Sequence, residues 1–188
     1  IWEYAPADPT APPPTGKTLE QSILVPFPIE SCLSGVAPNS TAAYVNRSWY
    51  RLEVTVTATA GTRQLLHFEA ANWQTTVYVN GRLLGNHSGG YDRFSVELTH
   101  EIFGASASRS AYSGSASATL ELLIGVYNPA DRGAQPNGKA RISAITSPGG
   151  DTYTPASGLW QSVWIEEVPA AFIASVQVDA NTSHLTAT

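Results

Sequence analysis

From Trp49 to Val56 the chain alternates. Tyr50, Leu52, Val54 and Val56 fall on one side, and Arg51, Glu53 and Thr55 on the other. A period of two is the mark of a strand with one buried face. The same pattern returns in QLLHFEA, where Leu66, Phe68 and Ala70 alternate with His67 and Glu69. It returns again in YDRFSVEL (Phe94, Val96, Leu98) and in LELLIGVY (Leu120, Leu122, Ile124, Val126). TTVYVNGRLLG predicts a strand, an Asn80-Gly81 turn and a return strand, because Asn-Gly tolerates the positive φ angles of a two-residue hairpin. LWQSVWIEEV, from Leu159, predicts a further strand with Trp160 and Trp164 on one face and Val163 and Ile165 on the other.

Between these strands the pattern weakens. Ala5–Thr15 holds Pro6, Pro9, Pro12, Pro13 and Pro14 and reads as an extended arm. Pro26 and Pro28 bar the ILVPFPIESCLS run from a central strand, so it is expected to lie over the core as an extended segment. Thr99–Phe103 fits one helical turn. Residues 105–119, rich in Ala, Ser and Gly, read as a surface insertion. Asn128–Gly150 is a long loop, and long loops in compact domains often carry function. After Pro169 a strand, a turn and the opening of a second strand follow, as at the entry to a second β-domain.

Many short strands without a helix of ten residues predict an all-β chain, a jelly-roll β-sandwich. The expected organisation is an arm and first strands over 1–48, the sandwich over 49–169, and the start of a truncated β-domain over 170–188. The chain contains no Met, which suggests a mature form or a fragment.

Composition narrows the function. Hydrophobic residues make up 43% of the chain, enough for a core, so disorder is excluded for most of it. A net charge of -5 gives no basic surface for phosphates, which argues against nucleic acid. No apolar run reaches the ~18 residues of a membrane span. The lone Cys32 can form no internal disulfide and is expected as a small buried side chain. His67, His87, His100 and His184 lack paired ligand spacing, so neither a metal nor a cofactor is expected. N-x-[ST] acceptors at Asn39, Asn46, Asn86 and Asn181 suggest a secreted or secretory-pathway glycoprotein.

Several segments together resemble one family: VPFPIES at Val25, WYRLEV at Trp49, LLHFEAANWQTTVYVNGRLLGNHSGGYDRFSVELT from Leu65, QPNGKA at Gln135 and YTPASGLWQSVWIEEVP from Tyr153. In this order they resemble the N-terminal jelly-roll, galactose-binding-like "sugar-binding" domain of glycoside hydrolase family 2, which includes β-galactosidases, β-glucuronidases and β-mannosidases. The tail from Phe172 is similar to the first strands of the immunoglobulin-like domain that follows in such enzymes.

The resemblance implies a retaining mechanism, in which two carboxyl groups lie about 5 Å apart. In the family both are Glu on a separate (β/α)8 barrel. This chain has no βα repeat, so it is expected to hold no catalytic residue and to be inactive alone. Glu166 and Glu167, adjacent on a strand, point to opposite faces and cannot flank one bond. No Ser/His/Asp arrangement is legible. The resemblance also implies that the loop Gly149–Gly158 reaches toward the barrel's sugar site, with Asp151, Tyr153 and Thr154 as candidate sugar contacts. Gln135, Asn137 and Lys139 are a second candidate set. Trp49, Trp160 and Trp164 are expected to be buried packing rather than a lectin platform. The partners implied are a carbohydrate substrate of the full-length enzyme, and the downstream β-domain and barrel on which this domain would pack. A free-standing carbohydrate-binding module and a structural protein reusing the domain are the alternatives.

Overall fold

A computed structural model describes residues 1–8, 11–36, 44–104, 114–180 and 185–187. The strands are β1 (Trp2–Pro6), β2 (Gln21–Ile23), β3 (Arg47–Thr59), β4 (Thr62–Phe68), β5 (Gln74–Val79), β6 (Arg82–Ser88), β7 (Phe94–Glu97), β8 (Ser115–Tyr127), β9 (Val163–Pro169), β10 (Val178–Ala180) and β11 (Leu185–Ala187). Among the described residues one short α-helix, α1, spans Thr99–Phe103, and 3-10 turns lie at Cys32–Ser34, Ala130–Arg132 and Ile142–Ile145. The fold is thus all-β, as the alternation requires. A six-stranded antiparallel sheet in the order β2-β1-β3-β8-β5-β6 packs on a three-stranded sheet, β7-β4-β9. β10 and β11 pair separately as a hairpin.

β3 and β8 form the spine, in register over their whole length from Arg47↔Tyr127 to Thr59↔Ser115. Their inward residues Tyr50, Leu120, Leu122 and Ile124 meet Leu66 and Phe68 from β4 in one buried cluster. Phe94 of β7 stacks on Phe68 and on His87 of β6, and so links the two sheets. The predicted hairpin forms, with Asn80 at φ 48° and Gly81 at φ 77°. Two positive φ values in succession match the twist of the flanking strands.

Three expectations need correction. The surface insertion read over 105–119 ends earlier, because Ser115–Thr119 already belong to β8. Its alternation was hidden by small side chains. Ala116 and Ala118 pack on the core, while Ser117 and Thr119 face Thr57 and Thr55 across β3. Residues 105–113 lie outside the described residues. The last strand of the sandwich begins at Val163, not Leu159, since Leu159–Ser162 are still completing the turn out of Gly158. Cys32 is exposed, in a short 3-10 turn over Cys32–Ser34.

The N-terminal segment does more than lie along the surface. β1 inserts between β2 and β3, and residues 11–19 cross the outer face of the large sheet as a strap. Glu121 accepts the N–H of Gly16 at 3.0 Å, and Glu3 accepts that of Leu19 at 2.8 Å. Beneath the strap lies Arg51, with its side chain only 7% exposed, bonded to Glu3, Glu53 and Glu121. The polar side of the Trp49–Val56 alternation therefore holds a buried cation, which survives there because three carboxylates share it.

Candidate functional site

The connection from Asn128 to Ser162 joins β8 to β9 and gathers at one end of the sandwich. Trp73 and Asn46 meet it there, through Trp73 N–H to Tyr127 C=O and Asn128 N–H to Asn46 C=O. Its anchor is the Ser157-Gly158 turn. The Ser157 N–H donates to the Glu30 carboxylate at 2.9 Å. The Asn128 side-chain amide donates to Ser157 Oγ at 2.9 Å, and the Tyr44 hydroxyl lies 3.0 Å from the same oxygen. Gly158 sits at φ 86°, and a Cβ there would fall 1.9 Å from the Tyr50 hydroxyl, so the turn demands glycine twice over. Burial raises the pKa of Glu30, partly opposed by its hydrogen bonds to Ser157. Burial also pushes the Tyr44 and Tyr50 hydroxyls well above the usual phenol range.

Outside this anchor the two candidate loops are stitched together. Tyr153 N–H donates to Lys139 C=O at 3.0 Å, and Arg141 N–H donates to Tyr153 C=O at 2.8 Å. The backbone thereby brings QPNGKA beside the 149–158 loop. Tyr153 is 65% exposed, and Asp151, Thr154 and Lys139 are also exposed. Lys139 Nζ lies 3.9 Å from the Asp151 carboxylate, a solvated pair of little weight. Asn137 is half-buried, and its backbone C=O accepts from Ala140 N–H. Gln135 turns back, its amide donating to Ala130 C=O. It lines an open cleft of about 510 Å³ together with Trp73, Gln74, Tyr127, Pro129 and Pro136. The side chains of Asp151, Tyr153, Thr154 and Lys139 stay outside that cleft's walls. Among the acceptor asparagines, Asn46 and Asn86 are exposed, while Asn39 and Asn181 lie outside the described residues.

The sequence reading missed Glu30, Tyr44 and Asn128. A signal for Glu30 was present: an acid inside the apolar VPFPIES run has to find donors where it is buried. Tyr44 and Asn128 carry no local signal, because their shared partner, Ser157, is far along the chain.

The fold also makes an arrangement not legible in the sequence. His67 Nδ1 is 2.6 Å from Ser95 Oγ, and its Nε2 is 3.0 Å from Glu166, the latter without hydrogen-bond alignment. The three residues stand on neighbouring strands of the three-stranded sheet, with Trp164 stacked on the imidazole at 5.0 Å. They form a ladder across the outer face of the three-stranded sheet, with His67 13% and Glu166 53% exposed. Glu167, the neighbour of Glu166, bonds Thr62 and Thr59 instead, so the adjacent acids do diverge. Among the described residues no group of three or more His, Cys, Asp or Glu could hold a metal ion, and no helix is long and apolar enough to cross a membrane.

With this geometry in place, comparison with known proteins gives a consistent class. No family model matches the chain. A curated Formosa agariphila protein with a provisional beta-glucuronidase name is 26% identical over 132 residues, which is 70% of this chain and 13% of that protein. A solved beta-glucuronidase of Bacteroides uniformis superposes with a TM-score of 0.59 at 22% identity, covering 89% of this chain and 17% of that one. The Faecalibacterium prausnitzii beta-glucuronidase gives 0.59 at 18% identity, covering 94% and 32%. The chain has the β-sandwich fold found in these glycoside hydrolases. The resemblance to the N-terminal jelly-roll domain of glycoside hydrolase family 2, carried by the segments from VPFPIES to YTPASGLWQSVWIEEVP, is borne out. The chain spans a small part of each of these relatives.

Proposed function

We propose that this chain is the non-catalytic N-terminal sandwich of a secreted family 2 glycoside hydrolase, which cleaves O-glycosyl bonds by the retaining mechanism on a barrel elsewhere in the polypeptide. The observation that carries this reading is the mismatch of lengths. The chain matches its β-glucuronidase relative over 70% of its own residues but 13% of that protein's. In this reading residues 49–169 hold most of the sandwich, β1 and β2 complete its large sheet, and the β10–β11 hairpin opens an immunoglobulin-like domain. The stitched loops then form one wall of the sugar pocket. Tyr153 offers an apolar ring face to sugar C–H groups, and Asp151, Thr154, Asn137 and Lys139 offer hydrogen-bonding groups around it. Exposure of Asn46 and Asn86 supports a glycosylated, secreted product.

The test is turnover of 4-nitrophenyl β-D-glucuronide. The full-length protein is expected to release nitrophenol, and the 188-residue chain is expected not to. Turnover by the chain itself would overturn the assignment. In the full-length protein, Tyr153→Ala is expected to raise KM with little change in thermal stability. An unchanged KM would remove Tyr153 from the pocket wall.

A further inference from the structure

The outer face of the large sheet holds a second cleft, of about 240 Å³, between the strap and the strands. Its floor is aromatic. Three carbons of the Trp49 benzo ring (Cζ3, Cη2, Cε3) lie 2.6, 2.9 and 3.2 Å from where a Cβ on Gly125 would be, so the indole lies across the glycine. Tyr78 meets it edge-on at 6.1 Å. At the end of the same two strands, the Arg47 guanidinium sits 4.1 Å over the Tyr127 ring. Trp49 is therefore only half-buried, and it contributes to a cleft rather than to core packing as the sequence suggested.

Tyr127 and Gln74 line this cleft and also the larger one beside Gln135. The two depressions adjoin, and together they make a trough along the end of the sheet. Flat aromatic surface flanked by amide, hydroxyl and guanidinium groups is the chemistry that recognises a pyranose, whose C–H face is apolar and whose rim is hydroxyl. Arg47 and Asp8 both line the inner cleft, so the trough carries charges of both signs and suits a neutral sugar.

We propose that this trough binds a neutral oligosaccharide, with one ring on Trp49 and the next units running past Tyr127 and Gln74 toward Gln135. The site is on the strap side of the sandwich and needs no catalytic domain, so it stands or falls separately from the function proposed above.

The experiment titrates the isotopically labelled 188-residue chain with cellobiose, lactose and methyl β-D-glucopyranoside, followed by NMR. At least one disaccharide is expected to shift the Trp49 indole N–H and the side-chain amides of Gln74 and Gln135, and to bind more tightly than the monosaccharide. Trp49→Ala is expected to weaken that binding about tenfold. Because this variant removes a half-buried ring, the exposed Gln74→Ala is measured beside it, and a several-fold loss is expected with the spectrum otherwise unchanged. No shift with either disaccharide at millimolar concentration would overturn the proposal. So would shifts centred on Tyr153, or binding equal for monosaccharide and disaccharides.

Discussion

The two sheets turn different outer faces away from their shared core. On the six-stranded sheet the strap covers part of the face: Arg51 lies under the crossing chain with Glu121 only 12% exposed beside it, while Glu3 and Glu53, its other partners, reach water. On the three-stranded sheet no strap crosses the pairs, and although His67 is largely covered, Glu166 and Glu69 stay wet. Arg93 pairs with Glu69 and His67 with Glu166 at positions where water reaches at least one partner. Both faces look equally polar in sequence. The difference lies in what happens when a partner is lost. Under the strap an orphaned Glu121 is cut off from water, whereas on the other face an orphaned Glu69 or Glu166 is already hydrated.

The sharpest way to break this comparison is Arg51→Ala. It leaves Glu3 and Glu121 facing each other beneath the strap and is expected to cost about 3 kcal/mol, read as a lowered midpoint in urea. A midpoint within error of the wild type would mean the strap is loose enough to admit water, and the contrast between the faces would be lost. Gly158→Ala comes next. It forces a side chain into left-handed backbone against the Tyr50 hydroxyl, and about 2 kcal/mol of destabilisation is expected by the same measurement.

Glu30→Gln tests the half-buried carboxylate at the loop anchor. Its folded pKa is raised above the 4.5 of a free side chain. Folded protein therefore holds this proton more tightly than unfolded protein. The stability it contributes is present below that unfolded value and lost as pH rises through the folded one. The Gln variant does not titrate, so its Tm relative to wild type should rise from about pH 4 to about pH 8. A constant difference across that range would show that Glu30 is solvated. The smallest effect is expected at Arg93→Ala, where the exposed pair to Glu69 can be lost with no measurable change in Tm. A drop comparable to that of Arg51→Ala would erase the distinction between the faces.

Much of this was legible because strand alternation is a local, repeated signal. Leu120, Leu122, Ile124 and Val126 declared a buried face, and Asn80-Gly81 declared its turn. Thr99–Phe103 proved to be the one helical turn expected. The start of β8 was lost where Ala and Ser are too alike to show a period. The candidate site was legible only in part. QPNGKA and the 149–158 loop were singled out, but their backbone pairing through Tyr153 joins residues whose separation carries no pattern.

Most central strands, their buried faces and the family resemblance could be read along the chain, since each depends on neighbours within a few residues, whereas β1, β2 and the start of β8 could not. Tertiary structure decided which polar residues are enclosed. Arg51 and Thr55 occupy equivalent places in the alternation, yet Arg51 is buried and Thr55 is not, because the strap crosses one and passes by the other. Whether water reaches a side chain depends on distant parts of the chain.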